Sequence, residues 1–154
     1  MGEQKWKIYL FKIFYQQYLL LALEVKALKE KSPEEYKKNP KTKLLKSLRD
    51  AIRVDVPSDP QHPKFNLGVT LGPEYKQFKR VKNGLPRRYR LFFQFSSQEE
   101  TIIFIWMNDA YSIRSQGSKR DVYNVFKKMI KNGTIPEKYS ELFESSKVCN
   151  FLNN

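Results

Sequence analysis

The sequence predicts an α+β fold, an antiparallel-rich sheet with helices packed on one face. Three observations carry that expectation. Phe14, Tyr18, Leu21, Val25 and Leu28 recur at helical spacing. Residues 78–82, 88–96 and 101–108 have strand character, with Gly84 and the Ser97-Gln98-Glu99 cluster marking the two connections of a meander. A last apolar stripe, Val122, Phe126 and Met129, ends at Gly133 as a helix does.

Taken in order, "WKIYLF" at residues 6–11 reads as a short strand leading into the first helix. In "SPEE", Ser32 is placed as an N-cap, Pro33 at the first helical position and Glu35 at the capping-box position, which starts a second helical segment. Pro40 is expected to interrupt it before the pattern resumes with Leu44, Leu45, Leu48 and Ile52. Pro57, Pro60 and Pro63 then impose an extended loop. "TIIFIWM" is apolar on both faces and suits a central strand, helices covering one side and a partial cover the other. Ser118 is the expected N-cap of the final helix, with Asp121 three residues on. One domain over residues 1–154 is expected, with its core at about 6–133 and a C-terminal tail at 134–154.

Charge narrows the function. The chain carries 29 Lys and Arg against 16 Asp and Glu, net +13, which favours RNA, DNA or an acidic protein as partner. The charge is clustered: Lys79, Arg80, Lys82, Arg87, Arg88 and Arg90 fall close together, and no acid occurs between Glu74 and Glu99. Like charges on neighbouring strands repel unless an anion relieves them, so the cluster points to phosphates. Alternation sets Tyr89, Leu91, Phe93 and Phe95 on the core face and Arg88 and Arg90 on the other. If the strands pair across Asn83-Gly84, Arg80, Lys82, Arg88 and Arg90 line one groove.

A second basic group, Arg114, Lys119 and Arg120, lies beside the start of the last helix, where backbone N–H groups favour phosphate. Tyr123, on the first turn, reads either as a base-stacking or proton-donating residue or as a buried core tyrosine. One cysteine, Cys149, and one histidine, His62, leave neither an internal disulfide nor a histidine-based metal cluster, so no metal or other cofactor is expected. The apolar "YLLLAL" is too short to cross a membrane, and a soluble protein of the reducing cytoplasm is expected.

"RVKNGLPRRYRLFFQF", "WMNDAYSIRSQGSKRDVYNVFKKMIKNG" and the upstream "KTKLLKSL" together resemble the YhaV toxin family of the RelE/ParE group, over nearly the whole chain. The resemblance implies a RelE-like fold with one sheet face left for RNA. It also implies an endoribonuclease that inhibits translation, on or off the ribosome, and a PrlF-type antitoxin as partner. The family block falls on Arg80, Lys82, Gly84, Arg88, Tyr89 and Arg90, and then on Trp106, Asn108, Asp109, Arg114 and Gly117, with Ile113 where leucine is common. Its aspartate and tyrosine are matched by Asp121 and Tyr123.

Metal-independent RNA cleavage needs a proton acceptor, a proton donor and cations to stabilise the phosphorane. Arg80, Arg90 and Arg114 suit the charge role, Lys82 that of acceptor and Tyr123 that of donor. Asp109 reads as a second acceptor or as a turn-ordering residue. Lys79, Arg87, Arg88, Lys119 and Arg120 are the expected RNA-binding cations. Two other functions fit the same charges: binding RNA or a ribosome without cutting it, and ParE-like inhibition of a protein. An acidic antitoxin segment covering the groove is expected in either case.

Overall fold

The computed structural model describes residues 5–68, 70–109, 118 and 121–149. Strand β1 (Lys7–Phe11) runs directly into helix α1 (Lys12–Lys31), which buries Phe14, Tyr18, Leu21 and Val25 of the expected stripe and leaves Leu28, its last member, half-buried. Helix α2 (Pro40–Asp50) starts at Pro40, where an interruption was expected. Proline is at home at the first helical position because its missing N–H would lack a partner there in any case. Asn39 supplies the cap, its Oδ1 accepting from the Lys41 N–H at 2.9 Å. Ser32 closes α1, its N–H bonding to the Leu28 carbonyl, and its own carbonyl accepts from the Glu35 and Tyr36 N–H groups, so the expected second segment is reduced to a turn and a short 3-10 helix (Tyr36–Lys38).

Beyond α2 the backbone widens into a π turn (Ala51–Asp55), in which the Val56 N–H reaches the Ala51 carbonyl five residues back, and ends in the short helix α3 (Val56–Ser58). Pro57 cannot close an ordinary helical bond on Arg53, and a wider turn accommodates its ring.

Strands β2 (Lys79–Val81), β3 (Leu91–Ser96) and β4 (Thr101–Met107) form the expected antiparallel meander. The full sheet order is β2-β3-β4-β1-β5, with β1 parallel to β4 and every other pair antiparallel. Residues expected to be tail supply helix α5 (Tyr139–Glu144) and edge strand β5 (Ser146–Val148). Cys149 beyond them is buried, and its N–H bonds to the Ile8 carbonyl at 2.9 Å.

Both sheet faces are covered. Helices α1 and α2 pack on the face carrying Leu91, Phe93, Ile102 and Phe104. The opposite face, left for RNA in the expectation, carries Phe92, Ile103, Ile105 and Trp106 and is closed by helix α4 (Val122–Lys131) through Val122, Phe126 and Ile130. Leaving that aromatic surface in water would forfeit a large part of the hydrophobic stabilisation, so a helix is needed there. Phe92 stacks on Phe126 with ring centroids 3.9 Å apart.

A bulge in β4 makes this second face. Phe92 pairs with Trp106 and Phe93 with Phe104, so one β4 residue is extra and Ile105 and Trp106 turn to the same side. Past the parallel pairing with β1, which ends at Phe104, the backbone of Met107 is taken up by Gln17 of α1. The Gln17 amide donates to the Met107 carbonyl at 2.7 Å and accepts from its N–H at 3.0 Å. No helix among the described residues is long and apolar enough to cross a membrane.

Candidate functional site

Register places the ends of three strands together. Val81 pairs with Leu91, and Leu91 with Met107, so Lys82, Arg90 and Asn108 are the next residues at one end of β2, β3 and β4. Arg90 is buried at 7% exposure, although it is a cation. Its Nε donates to the Tyr123 hydroxyl at 3.0 Å and its Nη1 to the Tyr89 carbonyl at 2.8 Å. Both acceptors are neutral, so the positive charge stays uncompensated by any described carboxylate. A buried charge of this kind is costly and is best relieved by an incoming anion.

Arg80 pairs with Phe92 and therefore points to the same sheet face as Arg90 and Tyr123. Its guanidinium carbon stands 5.9 Å from the centre of the Tyr123 ring, and its Nη1 donates to the Asn66 carbonyl. Its Nε is buried with no hydrogen-bond partner among the described residues. A buried donor without an acceptor costs stability, and in a basic site the missing partner is readily a phosphate oxygen. Tyr123 is itself held by Phe92, which meets its ring edge-on at 5.8 Å, and by its N–H bond to Asp121 Oδ2 at 3.2 Å. Asp121, not Ser118, is thus the cap of α4; the Ser118 carbonyl instead accepts from the Asp121 N–H and the Asn124 amide.

The expected groove of four cations is only half assembled. Strand β3 begins at Leu91, and Arg88 lies before it in a turn at φ 72°, so Arg88 and Arg90 do not share a strand face. Lys82, Arg87, Arg88 and Asp109 are exposed around the rim of this sheet end. Lys79 points to the other side of β2, where its Nζ bonds to Asn66 Oδ1 at 2.9 Å, and burial lowers its pKa. Arg114, Lys119 and Arg120, with Ile113 and Gly117, lie outside the described residues.

Asn108 was matched to the family but given no role by the sequence reading, and it organises this end of the sheet. Fully buried, its Oδ1 accepts from the Arg90 N–H at 2.8 Å and its Nδ2 donates to the Arg88 carbonyl at 3.1 Å. It joins the turn before β3 to the end of β4 and fixes the backbone from which Arg90 projects. The Asn-Asp pair was the available signal for Asn108; the turn that follows Asp109 lies outside the described residues. Among the described residues no three His, Cys, Asp or Glu side chains gather as metal ligands.

The fold and this cluster define a small basic α+β protein that holds two guanidinium groups on one tyrosine at a sheet end, an arrangement suited to a phosphodiester. Residues 8–147 match the family model of the YhaV toxins, described as toxins with endonuclease activity of toxin-antitoxin systems. Toxin YhaV of Escherichia coli O6:H1 is 40% identical over 142 residues, 92% of each chain. Ribonuclease toxin YhaV of Escherichia coli K12 is 41% identical over 138 residues, 89% of each chain. The chain belongs to the YhaV family of toxin-antitoxin toxins. No solved structure matches it.

Proposed function

We propose that this toxin cleaves RNA at the Arg80–Tyr123–Arg90 cluster by attack of a ribose 2'-hydroxyl on the adjacent phosphate. The observation that carries the reading is the convergence of two guanidinium groups on one buried tyrosine, one of them with an orphaned donor. Guanidinium stays protonated at neutral pH and donates to two phosphate oxygens at once, so Arg80 and Arg90 stabilise the charge of the phosphorane.

In the reaction the 2'-oxygen forms a bond to phosphorus while the bond to the 5'-oxygen breaks. The 2'-hydroxyl proton passes to a base, for which Lys82 and Asp109 stand at the same sheet end, and the leaving 5'-oxygen takes a proton from the Tyr123 hydroxyl. The Tyr123 oxygen is the acceptor in its bond from Arg90, the polarity a proton donor toward a third group requires. Arg87 and Arg88 at the rim, with Arg114, Lys119 and Arg120, hold the flanking backbone. A PrlF-type antitoxin neutralises the toxin in the cytoplasm.

Purified toxin incubated with RNA in excess chelator is expected to leave 2',3'-cyclic phosphate and 5'-hydroxyl ends. RNA that stays intact under these conditions, with and without ribosomes, overturns the reading in favour of binding alone.

A further inference from the structure

The surface between α1 and α2, on the face of the sheet away from Tyr123, carries a second cationic cluster. A cleft of about 430 Å³ opens there. Lys29, Lys46, Arg49 and Arg53 stand around it, and no described carboxylate forms an ion pair with any of them. Asp50 is the one acid in the lining.

The cations are gathered by helix geometry. Lys46 and Arg49 lie three residues apart on α2, and the π turn that follows keeps Arg53 on the same side. Arg49 and Arg53 line the cleft together with Val25 and Lys29 of α1, and both oppose the rise that burial imposes on the Tyr18 hydroxyl. Lys29 leans over the Tyr36 ring at 5.9 Å. The floor is apolar, made by Val25 and Leu45, and Val54 stands at its edge with 66% of its surface exposed.

We infer that this cleft is the docking site for an acidic, amphipathic segment of the antitoxin, with apolar side chains on the floor and carboxylates among Lys29, Lys46, Arg49 and Arg53. Charge complementarity commits the occupant to an anionic chain, and the floor selects a peptide over a nucleic acid. A sugar-phosphate backbone has nothing to bury there, whereas a helix with acidic and apolar residues on one face satisfies both surfaces. The site is also remote from the chemistry: α1 and α2 pack against Phe93 and Phe104, whereas Tyr123 packs against Phe92 across the sheet. An antitoxin anchored here leaves its remaining segments to reach the catalytic rim.

The inference rests on family membership and is independent of the assignment of Arg80, Arg90 and Tyr123. Short overlapping peptides covering the cognate antitoxin, with oligouridine as nucleic-acid probe, are titrated into the full-length toxin and two variants. One is Arg49→Glu with Arg53→Glu; the other is Val54→Glu, which folds normally because the position is exposed. An acidic peptide is expected to bind the wild type and to lose about tenfold or more in affinity in each variant, while oligouridine binding and RNA cleavage hold. Peptide affinities equal in all three proteins overturn the proposal. So does loss of oligouridine binding with peptide binding retained, which makes the cleft an RNA surface. Because peptide binding is read directly, a catalytically silent Arg80 leaves this result intact.

Discussion

Arg90 donates from Nε to the hydroxyl of Tyr123 at 3.0 Å, a bond made beneath α4 between the first turn of that helix and the residue before β3. The two residues are 33 positions apart in sequence and are brought together only because α4 crosses the sheet face that carries Phe92 and Trp106.

Removing the hydroxyl alone separates its chemical role from its structural one. Tyr123→Phe keeps the ring between Phe92 and Arg80 and is expected to cost about 1 kcal/mol of stability. Single-turnover cleavage is expected to slow by about 10²-fold or more, the size of a lost general acid. Thermal unfolding and cleavage measured on the same preparation distinguish this from Tyr123→Ala, which is expected to lose about 3–5 kcal/mol by emptying the core.

Asn108 gives a second handle on Arg90. Asn108→Ala leaves the Arg90 N–H and the Arg88 carbonyl without their partner and is expected to cost about 2–3 kcal/mol. Asn108→Asp keeps an acceptor for Arg90 and loses the donor to Arg88. It is therefore expected to fall between wild type and alanine in denaturant midpoint, and equal midpoints for the two variants would refute the bridging role.

Arg88 is predicted to work against stability. At φ 72° it occupies the left-handed region, which glycine adopts without the steric cost of a side chain. Arg88→Gly is expected to raise stability by about 1 kcal/mol. The same change is expected to weaken RNA binding and lower the slope of log affinity against log salt by about one, as loss of one phosphate contact does. Unchanged salt dependence would remove Arg88 from the RNA-binding rim.

Alkaline pH is expected to destabilise the fold through Tyr18. Burial raises its pKa from 10.0 to about 12, so the folded state keeps a proton that the unfolded chain releases first. Its contribution is full below pH 10 and declines as pH rises through the interval to about 12. Denaturant midpoints across that interval should fall, and Tyr18→Phe should flatten the fall.

Much of this was legible in the sequence, and the failures have local causes. Strand alternation put Arg90 opposite Leu91 and Phe93 because a period of two survives along β3. It could not show that β4 carries an extra residue near Ile105, since a bulge reverses the faces without a signal in "TIIFIWM". Pro40 has the residue type of a helix breaker, and it opens a helix only because Asn39 caps the turn it begins. Helix α5 and strand β5 are too short for periodicity to announce; they are held by tertiary bonds such as Lys12 N–H to the Ser145 carbonyl. For the site, the cationic run and Tyr123 were visible as residue types. Which cations meet depended on where β3 begins, and that was set by the turn at Arg88.

The most direct test of the cluster is the cleavage rate of Arg80→Ala, taken under single-turnover conditions in chelator beside a direct measurement of RNA affinity. The account predicts cleavage slower by about 10²–10³-fold, with affinity changed by less than about tenfold and cyclic phosphate on the remaining product. Wild-type cleavage by the variant, or loss of rate in strict proportion to loss of binding, would contradict it.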